Sequence, residues 1–262
     1  MKKGKDTMKK IISLLLALTL AFSMLALVSC NSSDDDSNGG GKTVEKLAGK
    51  TPEELYELSR TKLAAATSYS VDSQQVITMS SAGESMTMNQ TVVTKVNGND
   101  SYMKSNNDTE SSANMEVWYV DGMIYSSMLG MKIKAEMDKD AYMEEYMGTD
   151  PSETTLLDIP ESWFENIKFE KEGDKWVLKF VVSGAKYTEV FENVGLGGEI
   201  TGDVIYKLYF DGEGNIEKMS TVFDMTMMGI QAHCDSVSYI KLENVTITPP
   251  ADADSYQLTT MP

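Results

Sequence analysis

The segment 204–228 reads VIYKLYFDGEGNIEKMSTVFDMTMM. Apolar side chains stand at every second position from Val204 to Phe210, which is the period of a β-strand with one buried face. Acidic residues, Gly and Asn fill positions 211–215, and strand-forming residues resume after them. Turn residues between two such runs are typical of a β-hairpin. The segment therefore predicts two antiparallel strands, 204–210 and 216–228.

Other parts of the chain show the same alternation interrupted by turn residues. In EVWYVDGMIY, which begins at Glu116, the dipeptide Asp121-Gly122 separates the two runs. Asp-Gly is a strong hairpin signal because Gly readily adopts the positive φ of a tight turn. The remaining predicted strands are 69–79 and 86–96, joined at Ser81–Glu84; 169–171 and 176–182, joined at Gly173-Asp174; and about 235–247, ended by Pro249-Pro250.

A helix is predicted to precede the strands. Thr51-Pro52-Glu53-Glu54 supplies a capping hydroxyl, a Pro at the first helical position and acids near the positive helix end. The helix should end near Thr67–Ser70. Its narrow apolar stripe consists of Leu55, Leu58, the stem of Lys62, Leu63 and Ala66. Three shorter helical patches are predicted at 138–147, 161–164 and 186–194.

The order of these elements predicts an α+β fold with one large incurved antiparallel sheet, covered by the N-terminal helix and short inserted helices. Parallel βαβ units are not expected, because the required crossover helices are missing between the strands. Residues 51–262 are long enough for one sizeable core, so we expect them to form a single domain.

The charge of the chain excludes some classes of partner. It carries 23 Lys and Arg against 40 Asp and Glu, a formal charge of −17. The segment 1–29 holds five Lys and one Asp, so the remainder has 18 against 39, or −21. Nucleic-acid binding is not expected, because affinity for phosphates comes from basic residues. A basic patch that docks on anionic lipids is excluded for the same reason.

The segment 1–29 resembles a bacterial lipoprotein signal peptide. A lysine-rich start is followed by the apolar run 11–28, which ends in Leu27-Val28-Ser29-Cys30. This tetrapeptide resembles a lipobox, which implies that Cys30 is acylated and that the leader is cleaved before it. An uncleaved transmembrane helix is the alternative, although the apolar run lies at the short end of the spanning range. We expect a membrane partner through lipid on Cys30 and an extracytoplasmic location.

Residues 30–50 are then expected to be a lipidated cysteine followed by a flexible tether. The stretch that begins NSSDDDSNGGGK is acidic and Gly-rich, with almost nothing to bury.

Methionine is unusually abundant, with 19 residues in the chain. On the 216–228 strand, Val222 and Met228 point to the face opposite most of its apolar residues. Apolar residues on both faces predict that other parts of the protein pack against each face of this strand. A methionine surface accepts ligands of varied shape because the side chain is unbranched and polarisable. We therefore expect an apolar groove that binds a lipid or acyl chain, although core filling explains the same residues. The candidate lining residues are Met86, Met88, Met219, Phe223, Met225 and Met227.

The layout of helix and hairpins resembles the LolA/LolB and LppX/LprG class of lipoprotein-carrier folds. The resemblance rests on ATSYSVDSQ after the first helix, VWYVDGMIY in the middle and YKLYFDGEGNIEKMSTVFDM near the end. It covers about residues 52–250. It implies an unclosed half-barrel whose helices enclose an apolar ligand space. No ligand residue of that class maps onto this chain by motif.

Catalytic and metal sites are not predicted. His233 and Cys234 are adjacent on a strand, so their side chains should point to opposite faces and not meet. One His and two Cys cannot supply a zinc site without carboxylates. The turn at 211–215 lacks the later ligands of a calcium loop, and 195–198 lacks the Lys-Ser/Thr of a phosphate loop. We expect neither enzymatic activity nor a cofactor.

The sequence thus predicts a monomeric, lipid-anchored, non-catalytic protein that binds a hydrophobic ligand. The alternative is a cell-surface protein-interaction module with a closed core and no ligand.

Cys30→Ala tests the predicted lipid attachment. We expect radiolabelled palmitate to enter the wild-type protein expressed in a bacterium and to be absent from this variant. Cys234→Ala is the matched control, because it removes the other cysteine of the chain, and it should keep the label. Labelling that survives in Cys30→Ala would contradict the prediction.

Overall fold

The structure is a computed structural model that describes residues 46–81, 84–108, 114–139, 141, 159–173, 175–193, 198–211, 213–227 and 229–259. The predicted leader, Cys30, most of the tether and most of the 138–147 helix lie outside the described residues.

The described residues form one large sheet. Its strands are β1 (Ser68–Ser81), β2 (Glu84–Asn97), β3 (Asp100–Asn107), β4 (Met115–Val120), β5 (Met123–Met128), β6 (Met131–Glu136), β7 (Phe164–Glu172), β8 (Lys175–Ser183), β9 (Glu199–Phe210), β10 (Ile216–Met227), β11 (Ile230–Lys241) and β12 (Gln257–Leu258). They lie in the order β12-β6-β5-β4-β3-β2-β1-β11-β10-β9-β8-β7. Every neighbouring pair is antiparallel except β12 with β6. The sheet is open, and the predicted α+β class is confirmed.

The first helix, α1 (Pro52–Ala64), begins where its capping residues predict. The Thr51 hydroxyl accepts a hydrogen bond from the Glu54 backbone N–H at 3.2 Å. The Glu54 carboxylate in turn accepts one from the Thr51 N–H at 2.9 Å. This reciprocal capping box satisfies backbone donors that a helix start leaves unpaired. Leu55 and Leu63 are buried as predicted, and Tyr56 and Ser59 are buried beside them.

The second helix, α2 (Gly184–Asn193), follows β8 directly and begins slightly before its predicted start at Lys186. A Cβ atom at Gly184 would lie 2.3 Å from the Gly202 carbonyl oxygen and 2.7 Å from Cγ2 of Ile200. Glycine at this position therefore allows the helix to start in contact with β9.

Alternate residues along each strand share one face of the sheet, and the residues of this face form most of the core. We call this the inner face; on β1 it carries the odd-numbered residues, of which Val71, Gln75, Ile77 and Met79 are buried. Both helices lie on it, since Tyr56 of α1 contacts Phe180 of β8 and Tyr187 of α2 contacts Tyr206 of β9. A large apolar cluster joins α1 and α2 to β1, β2 and β7–β11, and a smaller one lies on β4–β6.

The structure corrects several predicted bounds. β3 and β6 were not predicted. DSYMKSNN has no clear apolar face, whereas MKIKAE alternates Met131, Ile133 and Ala135 with charged residues, a signal that was available in the sequence. β11 runs from Ile230 to Lys241 rather than over 235–247, and its pairing with β1 ends at Ser70–Lys241, close to where β1 begins. The patch at 161–164 is a single 3-10 turn, Glu161–Trp163, and Phe164 already belongs to β7.

The chain after β11 crosses the outer face of the sheet. Ser70 donates to the Glu243 carboxylate at 2.9 Å, and the Val245 N–H donates to the Ser68 hydroxyl at 3.0 Å. Further on, Tyr256 is buried against Trp118 and Tyr125, with ring centroids 6.4 and 5.7 Å away. Residues 242–258 therefore form a strap from the middle of the sheet to its β6 edge, where β12 pairs.

Tyr256→Ala should loosen this strap. Removing a buried aromatic side chain typically costs about 3 kcal/mol in the free energy of unfolding, and Tyr256 is only 5% exposed. Tyr239→Ala is the control, since Tyr239 is 43% exposed, and its effect should stay within about 0.5 kcal/mol. Urea unfolding measures both, and equal effects would contradict a stabilising strap.

Candidate ligand-binding face

The β-sheet register gathers methionines from strands that are distant in sequence. Across β10, β11, β1 and β2, one row consists of Met225, Ala232, Met79 and Met86, which lie directly opposite one another. The next row consists of Phe223, Cys234, Ile77 and Met88. Met227 follows at the end of β10, opposite Ile230. We call Met79, Met86, Met88, Phe223, Met225 and Met227 the methionine patch.

The methionine patch contains most of the predicted lining residues. Met88, Phe223, Met225 and Met227 are buried, and Met86 is half-buried against the same apolar cluster. Met219 is also buried but lies elsewhere, in the row of Leu208, Ser238 and Ser73. Sequence reasoning did not select Met79 or Ile77, although their parity within the predicted 69–79 strand was an available signal.

Aromatic side chains fill the inner face beside the methionine patch, over β7–β9. Tyr206 stacks on Phe180 with ring centroids 4.9 Å apart, and Phe180 contacts Phe164 at 4.4 Å. The hydroxyls of Tyr187 and Tyr206 lie 2.6 Å apart. Burial raises the pKa of both phenols above the usual range, so both stay neutral at physiological pH. We call Tyr56, Phe164, Phe180, Tyr187 and Tyr206 the aromatic wall.

A row of neutral polar residues borders the methionine patch. Across β10, β11, β1, β2 and β3 the register aligns Thr221, Ser236, Gln75, Gln90 and Asn107, which we call the polar row. Gln75, Gln90 and Asn107 are buried. The adjacent row adds a bond between the Ser73 and Ser238 hydroxyls at 2.8 Å. Buried polar groups need such partners because an unpaired one is costly.

The second apolar cluster lies towards β6, beyond the polar row. Met115, Val117, Tyr119 and Ile124 are buried there, and the Tyr119 hydroxyl donates to the Met137 carbonyl at 3.2 Å. The inner face therefore carries two apolar clusters.

The described outer-face positions of β10 are mainly polar. Val222 is half-buried there and Asp224 is exposed, while Met228 lies outside the described residues. Packing against the outer face of β10 therefore stays a prediction.

His233 and Cys234 point to opposite faces, as predicted. His233 is on the outer face, where its Nδ1 lies 2.8 Å from Oδ1 of Asp224. Cys234 is buried on the inner face, and burial, followed by the charge of Asp224, raises its pKa to about 12. The described residues contain no group of three or more His, Cys, Asp or Glu side chains that could hold a metal ion.

A model of the family described as "Family of unknown function (DUF6612)" matches residues 51–198, which is more than half of the chain. The chain belongs to this family. The matched residues run from the capping residue of α1 to the position just before β9, so they include β1, β2 and the aromatic wall residues up to α2. No curated protein matches the chain.

Several solved structures are similar to this chain. LprF from Mycobacterium bovis is 11% identical, with a TM-score of 0.39 over 76% of this chain and 95% of that chain. LppX from Mycobacterium tuberculosis is 10% identical, with a TM-score of 0.40 over 75% and 98%. A LolA superfamily protein from Nitrosomonas europaea is 11% identical, with a TM-score of 0.28 over 75% and 96%.

In the part of the chain that the structure describes, no helix has both the length and the apolar character needed to span a membrane.

Cys234 should resist alkylation in the folded protein. The thiolate is the reactive form, and a pKa of about 12 keeps the thiol protonated at pH 8. In a Cys30→Ala chain, Cys234 is the remaining thiol, and iodoacetamide should modify it only when urea unfolds the protein. His233→Ala should leave this rate unchanged, because the imidazole lies on the other face. Rapid modification of the folded chain, slowed by His233→Ala, would contradict this assignment.

Proposed function

We propose that this protein binds a lipid or another molecule with an acyl chain, without catalysis, on the methionine patch. The observation that carries the proposal is the register of β10, β11, β1 and β2, which brings Met79, Met86, Met88 and Met225 into adjacent rows of one face. A patch of unbranched, polarisable side chains adapts to a chain of variable shape at little cost in packing energy.

The binding energy would come from apolar area removed from water. Each methylene that becomes buried contributes about 0.8 kcal/mol, so part of one acyl chain suffices for micromolar affinity. The rings of the aromatic wall already pack against one another, so that side of the inner face is filled and fixed. This favours an acyl chain bound next to the aromatic wall rather than within it. The methionine patch is the adjacent region whose side chains adjust most easily.

We further propose that lipid on Cys30 anchors the protein to the extracytoplasmic face of a bacterial membrane. The charge of −21 after Ser29 supports this view, since an acidic body has no electrostatic attraction to anionic lipids and needs a covalent anchor.

An interaction module with a closed core is the other candidate. The burial of Tyr56, Phe180, Tyr187 and Tyr206 in the aromatic wall favours it for the β7–β9 side of the inner face. A ligand-binding measurement separates the two functions.

Met225→Gln tests the methionine patch. Met225 is 4% exposed, and burying an amide in its place should weaken binding of an acyl-chain probe about tenfold. Met225→Leu keeps apolar volume and should bind within a few-fold of wild type. Met131→Gln is the surface control, because Met131 is 60% exposed. Displacement of N-phenyl-1-naphthylamine by 1-dodecanol reports the affinities, and native mass spectrometry reports the stoichiometry.

Thermal unfolding of each variant shows whether a weaker affinity reflects a lost fold. If the wild-type protein binds no acyl-chain compound, or if Met131→Gln weakens binding as much as Met225→Gln, ligand binding on the methionine patch is refuted and the interaction module is favoured.

A further inference from the structure

We infer that the polar row is a head-group site, and that the ligand is an uncharged amphiphile with a hydroxyl group. The hydroxyl would bond to the amide of Gln90 while the acyl chain lies on the methionine patch. This inference rests on the proposed function and specifies its ligand.

Gln90 is the centre of the inference because its hydrogen bonding is incomplete. Its side chain is 3% exposed, and Nε2 donates to the Ser105 hydroxyl at 2.7 Å. Oε1 is buried without a hydrogen-bond partner among the described residues. Because the Ser105 hydroxyl can donate or accept, turning the amide over would still leave one of its two polar atoms unpaired. A hydroxyl group suits either orientation, since it both donates and accepts.

The position of Gln90 joins the two parts of the face. Gln75 and Asn107 lie directly opposite Gln90 on the neighbouring strands. The Asn107 amide donates to the sulfur of Met88, so the polar row directly contacts the methionine patch. A head group at Gln90 would therefore start its chain at Met88, and the next row of the patch, with Met86, lies further along the same strand.

The charge of this region selects among head groups. The polar row and the neighbouring Ser73, Ser105 and Ser238 are all neutral residues. A carboxylate or phosphate buried here would lose its hydration without gaining a cationic partner in these two rows, which is strongly unfavourable. An alcohol loses less hydration and recovers a hydrogen bond. Fatty-acid anions and phospholipid head groups are therefore poor occupants of this site.

Matched twelve-carbon probes test the inference on the whole protein. 1-Dodecanol, dodecane and dodecanoate, delivered from cyclodextrin at pH 7, differ only at one end. Gln90→Met, which keeps length and removes the amide, should weaken 1-dodecanol about tenfold and leave dodecane within twofold. Gln74→Met is the control, because Gln74 is exposed on the opposite face of the neighbouring strand, and it should change neither affinity.

Two further measurements keep the test decisive if Gln90→Met folds poorly. The double variant Gln90→Met/Ser105→Ala leaves no unpaired hydroxyl at position 105. It should bind 1-dodecanol more weakly and dodecane as tightly as wild type. In the wild-type protein, dodecanoate should bind at least tenfold more weakly than 1-dodecanol.

The outcomes separate this inference from the proposed function. Equal losses for dodecanol and dodecane in Gln90→Met, or tighter binding of dodecanoate than of dodecanol by wild type, would overturn the head-group site and leave lipid binding intact. Failure of all three probes to bind wild type would overturn both.

Discussion

The pairing of β1 with β11 is the constraint on which the rest of the structure depends. Ser70 lies opposite Lys241 and Ser80 opposite Gln231, so the contact runs almost the full length of both strands. Without it, the hairpins would form two separate sheets, β1–β6 and β7–β11. The two strands are the first and the last long strands among the described residues. The entropy of closing so long a loop must therefore be met by burial on the inner face.

This pairing also determines what each part of the inner face can do. One register places Met225, Met79 and Met86 in the same row across β10, β11, β1 and β2, with Ala232 between Met225 and Met79, and aligns polar residues with polar residues two rows further along. A shift of one residue would turn Met79 outward and replace it with Ser80. The methionine patch and the polar row are therefore consequences of a single register. An acyl chain that lies on the methionine patch would place its end at the polar row.

Local chemistry explains which elements could be predicted. Thr51 and Glu54 define the start of α1 because a capping box involves residues three apart, and Asp121-Gly122 defines a turn because both adopt positive φ, at 52° and 77°. β3 could not be predicted because its sequence, DSYMKSNN, contains too few apolar residues to define an apolar face. It exists because β2 and β4 on either side supply its hydrogen bonds.

The sequence by itself determined the hairpins, the first helix and the alternation that buries Met88, Phe223, Met225 and Met227, because strand parity and capping act over a few residues. It also contained the lipobox-like motif at Cys30. Only the tertiary structure decided that Met86 lies in line with Met225, that Met219 belongs to another row, and that Gln90 is buried with an unpaired amide oxygen. These facts depend on pairing between distant strands, and alternation within one strand carries no information about which strand lies beside it.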